Sequence, residues 1–219
     1  MLTHIIVGTG RCGTGSVRNL LRDNEVPCGH EAFFGVTRRE PLLTEAHIAA
    51  RALARTDLVA ESSWLAAPYL DRTALVSPTT KIIHLYRHPY QVIKSLLDLR
   101  FFSPKNTYPE YPSFAFRHSK RLSKAYDDTR NALIFYIEWN KMIRKALLRF
   151  DDVFTHRIED DTVGLCRFLG FPQQQLLVAN QKSIEKSEQV VLEDVAERVQ
   201  SLPEYPELVC LNEELGYKL

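Results

Sequence analysis

A chain of 219 residues is long enough to bury a real core and points to one domain, residues 1–219. Its 45 % apolar and 25 % charged residues are ordinary for a soluble globular protein. A net charge of +1 excludes a global field that would draw the chain to nucleic acid or to an anionic membrane, so any anionic ligand must be held by local clusters. Four cysteines, Cys12, Cys28, Cys166 and Cys210, show no CxxC and no paired spacing, and free thiols are expected. The N-terminus MLTHIIVGTG carries neither a charged leader region nor a long apolar one. No stretch reaches membrane-spanning length, and the expected location is cytoplasmic.

Strand and helix patterns alternate along the chain, which predicts an α/β domain built on a parallel sheet with helices on its faces. The first strand is His4 to Val7. A helix then starts near Thr14, with Val17, Leu20 and Leu21 at helical spacing. A second short strand, VPC, ends at Cys28 and runs into GHE. Residues 41–55 read as a helix, and DLVAESSW as a strand followed by a turn. KIIHLYR, 81–87, is the clearest central strand, and Pro89 suits the first position of a helix reaching Leu99. Residues 101–119 are aromatic, proline-bearing and irregular, and 101–122 offer an acceptor-site lid. A long helix is predicted over 123–150, then a strand in DVFTHRIE. Asp160 or Asp161 caps the next helix, which Gly170 and Pro172 stop. The polar segment 179–191 reads as a loop, and the tail as one or two short helices.

GTGRCGTGS, residues 8–16, joins the first strand to the first helix. A strand, a glycine-rich turn and a helix N-terminus hold anions, because amide N–H groups converge there and the helix adds partial positive charge. Gly10, Gly13 and Gly15 let the backbone come close, while Thr14 and Ser16 add hydroxyl donors. The Walker spacing GxxxxGK[ST] is kept by Gly8 and Gly13, but Thr14 stands where the lysine belongs. The clearest central strand ends in Arg87 rather than in a magnesium-holding aspartate. A nucleoside triphosphate normally needs Mg²⁺ and that lysine. The loop, with Arg11 and its amides, suits a less charged transferred group.

LYRHPYQVIKS places Arg87 at a strand's carboxyl end and Ser95 eight residues later on the following helix. The two can grip one phosphate, since ligands of open α/β sheets bind at the carboxyl ends of the strands. With the loop, this pair resembles the sulfotransferases that use 3′-phosphoadenosine 5′-phosphosulfate (PAPS). RCGT at 11–14 matches that family's [KR]-S-G-T loop, with Cys12 in the serine place. RHPYQVIKS at 87–95 matches its R-x-P…S segment, and RIEDDTVGLCRFLGF resembles its later strand, acidic turn and helix.

The resemblance implies a P-loop-like sulfotransferase fold and PAPS as donor, with no metal. It implies that Gly10, Arg11, Cys12, Gly13, Thr14, Gly15 and Ser16 hold the 5′-phosphosulfate, with Arg11 stabilising charge on the leaving phosphate. It gives the 3′-phosphate to Arg87 and Ser95. For the base it suggests Glu31 first and His30 second, in CGHEAFFG; the competing role for Glu31 is a structural ion pair with an arginine such as Arg38. The late RKG element of the cytosolic members is absent, and Lys182 in NQKSIEKS is the candidate substitute, with other basic residues of the chain as alternatives. This favours carbohydrate-type or bacterial members over the phenol and steroid group. The implied partner is a small-molecule or carbohydrate acceptor, with no nucleic acid and no membrane span. Glu61, Ser62, Ser63 and Trp64 are candidates for lining its pocket or for capping a turn. The alternatives are a P-loop small-molecule kinase and a non-catalytic nucleotide-binding homologue.

Overall fold

A computed structural model describes residues 1–40, 42–173 and 190–219. In chain order its elements are β1 (His4–Gly8), α1 (Thr14–Asp23), β2 (Cys28–His30), α2 (Glu45–Ala54), β3 (Ala60–Ser62), β4 (Lys81–Tyr86), α3 (Pro89–Asp98), α4 (Glu110–His118), α5 (Asp128–Leu147), β5 (Val153–Arg157), α6 (Val163–Leu169), α7 (Leu192–Gln200) and α8 (Tyr205–Glu214). A 3₁₀ helix, Trp64–Tyr69, follows β3. The described residues form two compact units: 1–36, 42–87 and 142–173 in the first, and 37–40, 88–141 and 190–219 in the second.

The first unit holds the sheet, in the order β2-β3-β1-β4-β5, with every neighbouring pair parallel. Parallel strands are buried on both faces and so read as unbroken apolar runs. That is why HIIV and KIIHLY were legible: Ile5, Ile6, Val7, Ile82, Ile83 and Leu85 are all fully buried. KIIHLYR does lie inside the sheet, but β1 is the middle strand. The second strand begins where the sequence reading ends it. Pro27 has no N–H to give, and its carbonyl accepts from Val59 and Ala60. Parallel pairing then runs from Cys28↔Ala60 to His30↔Ser62, which carries Gly29 and His30 into the strand.

α1 buries Val17, Leu20 and Leu21 in one core cluster with Ile6, Ile83, Leu85 and the α6 residues Leu165, Cys166 and Leu169. Each such side chain contributes roughly 1.5–3 kcal/mol. Helix α2 starts later than the apolar pattern suggests, because Thr44 accepts from the His47 N–H and fixes the cap. Before α6, Thr162 occupies the cap position, while Asp161 accepts from the Val163 N–H. Gly170, at φ 76°, ends α6 as expected.

In the second unit the stretch 101–119 is not wholly irregular, since α4 occupies its second half. Pro112 is only the third residue of that helix, where its missing N–H has no intrahelical acceptor to lose. Several aromatic residues of this stretch pack against one another and against α5. Phe101, Phe102 and Phe116 form a ring cluster with Phe135 of α5, and Phe114 meets Trp139. The long helix is shorter than predicted, starting at Asp128, but Leu133, Ile134 and Ile137 are buried together. Arg121 pairs with Glu138 and Glu207, and Lys141 also reaches Glu207. The tail forms two helices, α7 and α8. Cys12, Cys28 and Cys166 are buried thiols and Cys210 is an exposed one. No helix among the described residues is long and apolar enough to cross a membrane.

Candidate active site

The loop between β1 and α1 is built so that only particular residues fit. A Cβ on Gly8 would lie 2.3 Å from the Leu85 carbonyl oxygen and 2.4 Å from Cys12 Sγ. Gly13 caps α1 at φ 91°, and a Cβ there would meet Ile158 at 2.5 Å. Arg11 itself adopts φ 74°, a left-handed conformation that costs an ordinary residue free energy and is found where the surroundings hold it in place. Its side chain is exposed. α1 carries no acidic residue in its first turn, so its positive end is left for an anion from outside. Thr14 and Gly15 are its first two residues, whose amides have no intrahelical acceptor.

Cys12 turns inward. Its Sγ donates to the Thr9 carbonyl at 2.6 Å, and burial pushes the thiol up to about 12. It is therefore a neutral group that braces the loop, and what it can offer an anion is its backbone N–H. Arg87 follows β4 and reaches the same loop: its Nη1 donates to the Arg11 carbonyl oxygen at 3.4 Å. Two residues that stand 76 positions apart are thus brought to one turn.

Ser62, at the end of β3, ties that turn to the next strand. Its Oγ donates to the Thr14 carbonyl at 2.8 Å. Its carbonyl accepts from His30 Nδ1 at 2.9 Å and from the Glu31 N–H at 3.2 Å. A carbonyl oxygen can only accept, so the Nδ1 of His30 carries a proton and Nε2 is the ring nitrogen left to face outward chemistry. The His30 ring is exposed. Glu31 is half-buried and held at φ 56°. Arg38 lies near Glu110 and donates to the Thr107 carbonyl.

Glu61, beside Ser62, is fully buried. Its Oε1 accepts from the Phe33 N–H at 3.2 Å, while Oε2 is without a hydrogen-bond partner against Gly29. Burial pushes its carboxyl up to about 8, against the pull of the Phe33, Ala32 and Phe34 amides and with the Glu31 charge adding to the rise. It braces the 31–35 turn from below. Of the two alternatives for Glu61, Ser62 and Ser63, their full burial favours the capping of a turn over a place in the acceptor pocket. Ser63 instead caps the 3₁₀ helix, accepting from the Leu65 N–H, and Trp64 packs on Gly10.

No family model matches the chain, and no curated protein matches it in sequence. Solved structures do. The sulfotransferase domain from the curacin biosynthetic pathway aligns with 100 % of this chain and 98 % of its own, at TM-score 0.59 and 15 % identity. A sulfotransferase from Alicyclobacillus acidocaldarius aligns with 100 % and 97 %, at TM-score 0.57 and 17 % identity. The chain has the sulfotransferase fold.

In this sulfotransferase fold Ser95 lies half-buried on α3, which begins two residues after Arg87. Asp98, three residues further along α3, is engaged by Lys94 and by the Val190 N–H. Lys182 lies outside the described residues, as does most of the polar 179–191 segment. Among the described residues no cluster of His, Cys, Asp or Glu could hold a metal ion. What the sequence reading missed is the role of Ser62. A serine at a strand end has no signal that distinguishes a surface hydroxyl from a buried tether.

Proposed function

We propose that this chain is a sulfotransferase that moves the sulfuryl group of PAPS to an acceptor hydroxyl, on a sugar or another small molecule. The observation that carries this reading is the Ser62 tether. It joins a glycine-rich turn without a Walker lysine to a histidine anchored through Nδ1, within a sulfotransferase fold.

The donor supplies a sulfuryl group attached to a phosphate that leaves. The amides of the 10–16 turn and the positive end of α1 hold the 5′-phosphate side. Arg11 neutralises charge growing on the leaving phosphate. Arg87 and Ser95 take the 3′-phosphate, and Lys182 is the candidate for the remaining contact. His30 Nε2 removes the acceptor proton as the oxygen attacks in line. The sequence reading ranks Glu31 ahead of His30; the anchored Nδ1 supports the reverse order, with Glu31 as the second candidate. Thr14 in the lysine position argues against the kinase alternative.

The test is a thermal-shift titration with 3′-phosphoadenosine 5′-phosphate beside ATP with and without Mg²⁺. A ligand that binds only the folded state raises its stability by mass action. Stabilisation by the bisphosphate, indifferent to Mg²⁺, is expected. Stabilisation by Mg²⁺-ATP alone would replace this reading with a kinase.

A further inference from the structure

A cleft of about 460 Å³ opens in the first unit along the edge strand β2. It is lined by Arg18 and Arg22 of α1, by Arg55 and Asp57 from the turn before β3, and by Cys28 and His30 of β2. It is a half-open cleft whose volume falls within the range of small-molecule sites. Three arginines face one aspartate, and that aspartate is already matched by Arg55 at 3.3 Å. The Arg18 guanidinium donates to Asn19 Oδ1, a neutral partner, and no carboxylate among the described residues pairs with it. Arg22 is exposed. Cys28 adds no negative charge, because burial pushes its thiol up to about 12.

The cleft is separate from the phosphate turn yet linked to it. Thr14, Arg18 and Arg22 follow one another at four-residue steps, so they form a row down one face of α1. The row starts at the turn and ends in the cleft. His30 is the other link, since it lines the cleft and its Nδ1 is fixed by Ser62. Guanidinium groups from two separate segments form a planar, multidentate cradle for oxyanions.

We propose that this cleft is a second anion site, and that it takes a carboxylate or sulfate carried by the acceptor. Held there, the anion would bring a neighbouring hydroxyl of the same molecule to His30. The site as an oxyanion binder stands on the cleft alone; its assignment to the acceptor rests on the sulfuryl-transfer reading.

The test measures equilibrium binding to the full chain of three probes: a glucuronic-acid disaccharide, the matching neutral disaccharide and inorganic sulfate. Binding of 3′-phosphoadenosine 5′-phosphate is measured in parallel as the readout of the donor site. The acidic disaccharide should bind at least about tenfold more tightly than the neutral one, and its binding should weaken with added salt. Arg22→Glu and Arg55→Glu, both at exposed positions, should each weaken it about tenfold or more and leave bisphosphate binding within about twofold. Equal binding of the two disaccharides, or no loss in either variant, would overturn the proposal. Binding of inorganic sulfate alone would overturn the acceptor assignment. If the acidic disaccharide binds but the bisphosphate does not, the anion cleft stands and the donor reading falls.

Discussion

His30 Nδ1 donates to the Ser62 carbonyl at 2.9 Å, and the hydroxyl of that same serine holds the Thr14 carbonyl at 2.8 Å. One buried residue on β3 therefore fixes both the ring on β2 and the first residue of α1. Parallel pairing makes this possible, because the carboxyl ends of β1, β2 and β3 lie at the same edge of the sheet.

If His30 is the base, His30→Ala should lower turnover of PAPS by about 10²- to 10⁴-fold. Glu31→Gln should lower it by less than about tenfold. Steady-state kinetics on both variants decides the order, and the opposite ranking would restore Glu31 as base. Ser62→Ala should cost about 1–2 kcal/mol in chemical denaturation, because the Thr14 carbonyl loses its buried donor.

Arg87 meets the glycine-rich turn through the Arg11 carbonyl. Arg87→Ala should weaken binding of a 3′-phosphorylated nucleotide by about 10- to 100-fold, the range of a charge-assisted contact. Adenosine 5′-phosphosulfate, which lacks the 3′-phosphate, should lose much less. Calorimetric titration of both ligands checks the difference; equal losses would remove Arg87 from the 3′-phosphate.

The turn's glycines are not equivalent. Gly13→Ala must place a methyl group at φ 91° and against Ile158, and Gly8→Ala must displace the Leu85 carbonyl. Each should cost about 2 kcal/mol or more. Gly10→Ala meets only Trp64, at 3.8 Å, and should cost under about 1 kcal/mol. Urea midpoints for the three variants should fall in that order.

Glu61 gives the protein a pH signature. Its folded carboxyl titrates near 8, above an unfolded value near 4.5. The folded state then binds the extra proton, so stability falls as pH rises from about 4.5 through 8. Glu61→Gln removes this titration and keeps an oxygen for the Phe33 N–H. It should flatten that part of the profile and be more stable than the parent at pH 8, by on the order of a few kcal/mol. A parent and variant with parallel pH–stability curves would show that Glu61 is ionised in the fold.

Glu207 acts in the opposite sense. The Arg121 guanidinium, helped by Lys141, holds its carboxyl down to about 2. The stability this contributes is full above about 4.5 and is lost as pH falls toward 2. The partners are partly exposed, so Glu207→Gln should cost only about 1 kcal/mol at pH 7 and nothing near pH 2.

Much of this was written in the order of residues. The apolar runs at His4 and Lys81 announced buried parallel strands. The glycine spacing after β1 announced a tight turn into α1, and Gly13 proves to need its left-handed φ. Helix α4 was hidden, because an aromatic run with prolines looks irregular until its rings find Phe135 and Trp139 on another helix. The strand β2 was displaced, because three residues carry too little pattern to fix a register that β3 supplies.

The sequence by itself determined most of the elements and the glycine-rich turn after β1, since both depend on local spacing and on which residues tolerate a given φ. Only the tertiary structure decided that Ser62 is a tether, that Cys12 faces inward, that Arg87 reaches the Arg11 carbonyl and that three arginines share a cleft. Those facts join residues far apart in the chain. Hydrogen bonds and burial between distant segments leave no periodic trace in the order of residues, because they depend on where the backbone brings the side chains.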